Sequence, residues 1–118
     1  MELVEHDGYW LTPIEVPFYD ALRETGLLFS VQPWMQTTDR RYRFDFLLYY
    51  DGSAVAVELD GHDYHKTKEQ RGRDAKRDRW FAARKITTVR FTGSQVHRDP
   101  QGCVKELLDV LRGSGARP

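Results

Sequence analysis

The segment that most restricts the fold of this 118-residue chain is a pair of β-prone runs around a two-residue turn. Residues 41–50, Arg-Tyr-Arg-Phe-Asp-Phe-Leu-Leu-Tyr-Tyr, and residues 54–60, Ala-Val-Ala-Val-Glu-Leu-Asp, are rich in aromatic and branched side chains. Between them lies Asp51-Gly52, a sequence suited to a tight hairpin. Closing the hairpin there sets Leu48 against Val55, Phe46 against Val57 and Phe44 against Leu59, an entirely apolar face. A slip of one residue would bring Phe46 against Glu58, so the hydrophobic pattern fixes the register. On the other face Leu47 meets Ala56, Asp45 meets Glu58 and Arg43 meets Asp60.

The opposition of Asp45 and Glu58 is the anomaly. Side chains directly across a ladder have Cβ atoms about 4.5–5.5 Å apart, and like charges there are unfavourable. Either both acids sit at a solvated end of the sheet, or Arg43 neutralises them, or a divalent cation lies between them. Hard oxygen donors suit Mg²⁺, Mn²⁺ or Ca²⁺. Asp60 has an ordinary structural role available as the partner of Arg43.

Around the hairpin the order of elements is readable. Thr12 as N-cap, Pro13 at the first helical position and Glu15 in a capping box predict a helix from Pro13 to Thr25, closed by Gly26. Residues 28–36 read as a strand bent near Pro33. Residues 66–84 read as a long charged helix starting near Asp63 or Thr67, and Ile86 to Phe91 as a short buried strand. Asp99-Pro100 opens a last amphipathic helix carrying Val104, Leu107, Leu108 and Leu111. The expected fold is α/β (α+β): a mixed four-stranded sheet flanked by helices, in the order αβββαβα. Residues 1–112 would form a single domain and 113–118 a disordered tail.

The net charge is zero, but it is unevenly spread. Residues 66–90 hold ten bases and three acids, while residues 1–25 hold six acids and one base. This asymmetry points to a polyanionic partner, although a basic helix is also simply a solvated face. Lys66, Lys68, Arg71 and Arg73 are the bases placed to meet phosphates without reading sequence. Asp74 reads as a partner of Arg77 or Arg71. Trp80 and Phe81 read as core, while Tyr9, Trp10 and Trp34 are candidates for stacking on bases. The loop Gly61-His62-Asp63-Tyr64-His65 could bind zinc or supply acid–base chemistry, and His65 is the better placed of the two histidines. The single cysteine, Cys103, excludes an internal disulfide framework. No apolar run approaches a membrane span and the first residues are acidic rather than leader-like, so the expected location is cytoplasmic, with no membrane partner.

Taken in order, these residues resemble a known family. Asp45 followed by Glu58-Leu59-Asp60 resembles the Asp…Glu-x-Lys metal motif of the PD-(D/E)XK nuclease superfamily, the restriction-endonuclease-like fold. The closer likeness is to its very-short-patch-repair-endonuclease-like branch. Thr12-Pro13-Ile14-Glu15, Arg43-Phe44-Asp45-Phe46, Val57-Glu58-Leu59-Asp60-Gly61 with His65, Asp74 and Arg77-Asp78, and Val89-Arg90-Phe91 carry it, over roughly residues 12–112. The resemblance implies an endonuclease that hydrolyses DNA phosphodiesters with Mg²⁺, Mn²⁺ being a substitute. Asp45, Glu58 and the Leu59 carbonyl would hold the metal, and Glu15 would approach it through water. Asp60 stands where the superfamily has Lys, so His65, Lys66 or Lys68 would take over its role. Lys85 stands where the branch tends to have Gly, which concerns a turn. DNA, duplex by expectation, would be the partner, and a homodimer or a partner protein is compatible with the size. A nuclease fold that only binds nucleic acid is the alternative, and a zinc site on His62, Asp63 and His65 ranks third.

Overall fold

A computed structural model describes residues 2–60 and 66–113. A four-stranded sheet is built from β3 (Phe29–Val31), β6 (Phe46–Tyr50), β7 (Ser53–Asp60) and β8 (Ile86–Thr92), side by side in that order. The first three strands run antiparallel, and β8 joins β7 in parallel. The parallel step requires a crossover, supplied by α2 (Lys68–Ala82). The helices α1 (Glu15–Glu24), α3 (Gly93–Arg98) and α4 (Pro100–Gly113) complete the layers. Omitting short additions, this is the expected mixed sheet and αβββαβα order. Two small hairpins stand beside it: β1 (Val4–His6) with β2 (Tyr9–Leu11), and β4 (Trp34–Gln36) with β5 (Arg41–Arg43).

Alternation along β7 divides the interior. Val55 and Val57 join Phe46, Leu48, Phe18, Leu22, Leu107 and Leu111 in the larger cluster, which α1 and α4 cover. Ala54 and Ala56 face the other way, with Leu47, Phe44 and Phe81 of α2. Glu58 and Asp60 continue that second row, so the pleat directs them to the α2 side.

The predicted hairpin register is the observed one, with Phe46 opposite Val57, Leu48 opposite Val55 and Tyr49 opposite Ala54. Asp51 and Gly52 have φ of 48° and 78°, the positive pair a type I′ turn requires. The expected single strand over residues 41–50, however, is broken. The ladder stops at Phe46, and the Asp45 N–H also donates to the Val57 carbonyl, at 3.0 Å. Asp45 and Phe46 thus share one partner residue, an arrangement of the β-bulge type, which inserts a position and reverses the facing of what precedes it. Phe44 therefore packs against Phe81 in the second cluster, not opposite Leu59 beside Phe46. Arg43 is carried away from Asp60; it donates to Gln32 Oε1 at 2.5 Å, and Asp60 pairs along β8 with Thr92.

Helix starts follow the sequence signals in part. Thr67 caps α2, its side chain accepting from the Gln70 N–H while Gln70 returns a bond to Thr67. For α1 the N-cap position is Ile14, not Thr12, and only half of the capping box forms: Glu15 Oε1 accepts the Thr12 N–H at 2.7 Å. The predicted bend near Pro33 is sharp enough to place β3 and β4 in different sheets. Among the described residues no helix is long and apolar enough to cross a membrane.

Candidate active site

Three acids from three elements lie toward the end of the sheet. Glu15 comes from the first turn of α1 and is only 4% exposed. Asp45 comes from the irregular step before β6, and Glu58 from β7. Asp45 is held by the backbone: its Oδ2 accepts the Leu59 N–H at 2.6 Å. The Asp45 carboxylate thereby does for β7 what a further strand carbonyl would do, which explains why the ladder can end there without leaving an open donor.

Electrostatically Asp45 is the outlier of the molecule. Burial raises its pKa to about 7, opposed by the Leu59 N–H and reinforced by the charge of Glu15, a hydrogen bond to Glu15, and the charge of Glu58. Removal from water penalises the carboxylate, and two like charges add to the penalty. Asp45 and Glu15 are thus close neighbours at the end of the sheet.

Glu58 is differently held. Arg77, buried in α2 at 7% exposure, places Nη2 in an ion pair with Glu58 Oε1. Arg90 Nε lies 3.8 Å from Glu58 Oε2, and Arg90 forks onto Asp78 at 2.9 and 3.1 Å. The Arg77 guanidinium also lies over the rings of Tyr42 and Phe44, at 5.1 and 5.0 Å from their centroids. The expected direct opposition of Asp45 and Glu58 does not form, because the inserted step sets Asp45 beside Val57: Asp45 is held by the β7 backbone near Glu15, while Glu58 is drawn to the arginines of α2 and β8.

Glu58, Leu59 and Asp60 form one wall of a cleft of about 440 Å³. The opposite wall comes from Lys66, Arg73 and Asp74. Lys66 pairs with Asp74 at 2.5 Å, so Asp74 has Lys66 as its partner in place of Arg71 or Arg77. The Asp74 carboxyl is held below the usual range by Lys66 against the opposing effect of burial, the largest single cause. Of the bases expected to meet phosphates, Lys68, Arg71 and Arg73 are exposed, and Lys66 is half-buried in its ion pair. His62, Asp63 and His65 lie outside the described residues. Among the described residues no three acids, histidines or cysteines form a ready-made metal cluster.

Arg40, which lines the cleft, escaped the sequence reading because it lay outside the basic block. Arg77 was singled out with Asp78 and as a partner of Asp74, but its ion pair with Glu58 is set by tertiary packing that no local pattern encodes.

Residues 15–111 match the model of REase_MTES_1575, a restriction-endonuclease-like family. No curated protein matches the chain. Among solved structures, the crystal structure of AF1548, a protein of unknown function, is similar with a TM-score of 0.48 and 16% identity, over 75% of this chain and 54% of that one. The chain therefore spans about half the length of that protein.

Proposed function

Since the chain belongs to the restriction-endonuclease-like family REase_MTES_1575, we propose that it is a metal-dependent endodeoxyribonuclease, closest to the very-short-patch-repair-endonuclease-like branch. The observation that carries this reading is Asp45: a half-buried carboxyl close to Glu15, within the field of Glu58, with no cationic side chain paired to it among the described residues. Hard carboxylate oxygens of this kind suit Mg²⁺ or Mn²⁺. Asp45 with Glu15, the Leu59 carbonyl and Glu58 would hold the ion. When bound, it would orient a phosphodiester, offset developing charge and acidify an attacking water. Arg77 positions Glu58 and limits its movement. Lys68, Arg71 and Arg73 would hold flanking phosphates of DNA, duplex in the simplest case. Asp60 faces the cleft beside Lys66, and proton transfer is assigned to His65 or to Lys66, which is paired with Asp74.

The test is cleavage of plasmid and single-stranded DNA in Mg²⁺, Mn²⁺ or EDTA. The wild type should cut only with metal, and Asp45→Ala and Glu58→Ala should each lose cutting while keeping the native circular-dichroism spectrum. Normal cutting by either variant would exclude the assignment.

A second reading has its own support. Glu58 is engaged by Arg77, and Asp60 replaces the family's Lys, which suits a module that binds nucleic acid without cutting it. It predicts salt-sensitive DNA binding and no cleavage with any divalent metal.

A further inference from the structure

The β4–β5 hairpin is a two-faced ribbon. Met35 and Tyr42 point inward and pack on the second cluster around Phe44 and Phe81. The alternate positions Trp34, Arg41 and Arg43 therefore point outward. Trp34 is 57% exposed, a large aromatic left in water. The Arg41 and Arg43 guanidiniums lie 4.7 and 5.9 Å from its ring centroid. Among the described residues neither arginine has an ion-pair partner. Arg40, next in the ribbon, lines the cleft that contains Glu58 and Asp60. It also lines an adjoining hollow of about 250 Å³ with Arg73 and Lys76 of α2.

We propose that the outer face of this hairpin is a binding site for an unpaired stretch of nucleic acid, with Trp34 stacking on a base and Arg41 and Arg43 gripping its backbone. The proposal rests on the nucleic-acid reading of the adjoining cleft and names a substrate class for it: strands with an unpaired segment. Charge argues for a polyanion, because the ribbon carries Arg40, Arg41 and Arg43 against the single acid Asp39. The half-exposed ring selects among polyanions. A duplex offers phosphates but no open base faces, and an acidic peptide offers no π-stacking partner; an unpaired strand offers both. The Cα atoms of two arginines two positions apart on a strand are about 6.6 Å from each other, so the pair forms a row rather than a point. Continuity through Arg40 leads a bound strand from the ribbon to the acids of the cleft.

The experiment measures binding by fluorescence anisotropy in EDTA, so that no oligonucleotide is cut. The probes are a labelled 20-nucleotide single strand and the blunt duplex of the same sequence. Trp34→Ala should weaken single-strand binding about tenfold and leave duplex binding within about twofold, in line with the loss of one stacked base. Trp34→Phe should restore most of the affinity, which a structural role for the indole would not. Arg41→Ala with Arg43→Ala should lower the salt dependence on the single strand by about two phosphate contacts. Unchanged affinity and salt slope in all hairpin variants would overturn the site, as would displacement of the strand by polyglutamate at equal charge. Loss of single-strand binding in these variants, in a wild type that cuts nothing, would uphold the ribbon and sink the nuclease reading. Cutting by the wild type with unaltered binding by the variants would do the reverse.

Discussion

Arg77 and Glu58 form an ion pair across the gap between α2 and β7, on the covered side of the sheet. The same guanidinium reaches Asp78 Oδ1 at 3.2 Å, and Arg90 binds Asp78 in turn, so two acids and two arginines share one partly dry network. Removing one member of such a network leaves a charge without a partner. Arg77→Met should therefore destabilise the fold by about 3 kcal/mol, while Arg77→Met with Glu58→Gln should recover part of that loss. Urea denaturation of the four members of the cycle checks this. Additive losses would mean that the pair contributes no coupling.

Asp45 gives a pH dependence whose sign is opposite to that of a salt-bridged acid. Its folded pKa is raised to about 7 from 3.8, mainly by burial and then by Glu15. The favourable contribution is the neutral form, complete below the unfolded value and lost as pH rises through the folded one. In EDTA the wild type should lose stability between about pH 4 and pH 7. Asp45→Asn keeps an oxygen for the Leu59 N–H and turns an amide donor toward Glu15. It should flatten that loss and raise stability at pH 7.5 by about 2 kcal/mol. Thermal melts at pH 5 and 7.5 decide; equal losses in both proteins would place the titrating group elsewhere.

Much of this site could be read from residue order, and the part that could not has a physical cause. The register of the β6–β7 hairpin from Phe46 to Tyr50 followed from its apolar face, but the expected pairing of Asp45 with Glu58 did not. The inserted step at Asp45 was hidden, because Phe44 is apolar and serves the second cluster as readily as the first. Alternation arguments assume a continuous ladder, and one extra residue reverses their outcome upstream. The β1–β2 hairpin was overlooked although Asp7-Gly8 marks its turn, with φ of 52° and 87°. Its strands have three residues each, too few for a period to register, and they are held by Asp7 contacts with Tyr19 and Arg23 that are remote in sequence. The pairing of Glu58 with Arg77 depends on the crossover that returns α2 over the sheet, information absent from any local window.

Lys85 closes the turn between α2 and β8 with φ of 64°, the left-handed region that costs residues with a Cβ about 1 kcal/mol or more. Its N–H donates to Ala82 and its carbonyl accepts from Ala54, so the backbone is fixed there. Lys85→Gly should raise stability by about 0.5–1 kcal/mol, the relief of strain exceeding the added freedom of the unfolded chain. The check is a shift of the urea midpoint to higher concentration without a change in slope. A lower midpoint would show that the lysine side chain stabilises the turn.

The reversed facing of Phe44 is testable through its partner. Phe44 and Phe81 are fully buried and meet edge to face, with centroids 5.3 Å apart. Phe44→Ala and Phe81→Ala should each cost about 3–4 kcal/mol, as large deletions in a packed core do. Because both open the same cavity, the double variant should cost clearly less than the sum. Phe44→Ala with Phe18→Ala, on opposite sides of the sheet, should be nearly additive. Coupling to Phe18 and not to Phe81 would return Phe44 to the larger cluster and remove the inserted step.

A cation drawn to the acids should appear as stability as well as activity. An ion that binds the folded chain with a Kd near 1 mM adds about 1.4 kcal/mol at 10 mM, which for a domain of this size is about 5 °C in Tm. Mg²⁺ and Mn²⁺ should therefore raise the wild-type melting temperature above its value in EDTA, more at pH 8 than at pH 5.5, because a protonated Asp45 makes a poor ligand. Glu15→Gln and Asp45→Asn should melt at the same temperature with and without metal. In Arg77→Met the Glu58 carboxylate is left with Arg90 alone, so the same metal should give a larger increment than in the wild type. If metal raises the melting temperature of Asp45→Asn as much as that of the wild type, the ion is bound elsewhere and the acids at the sheet end are not its ligands.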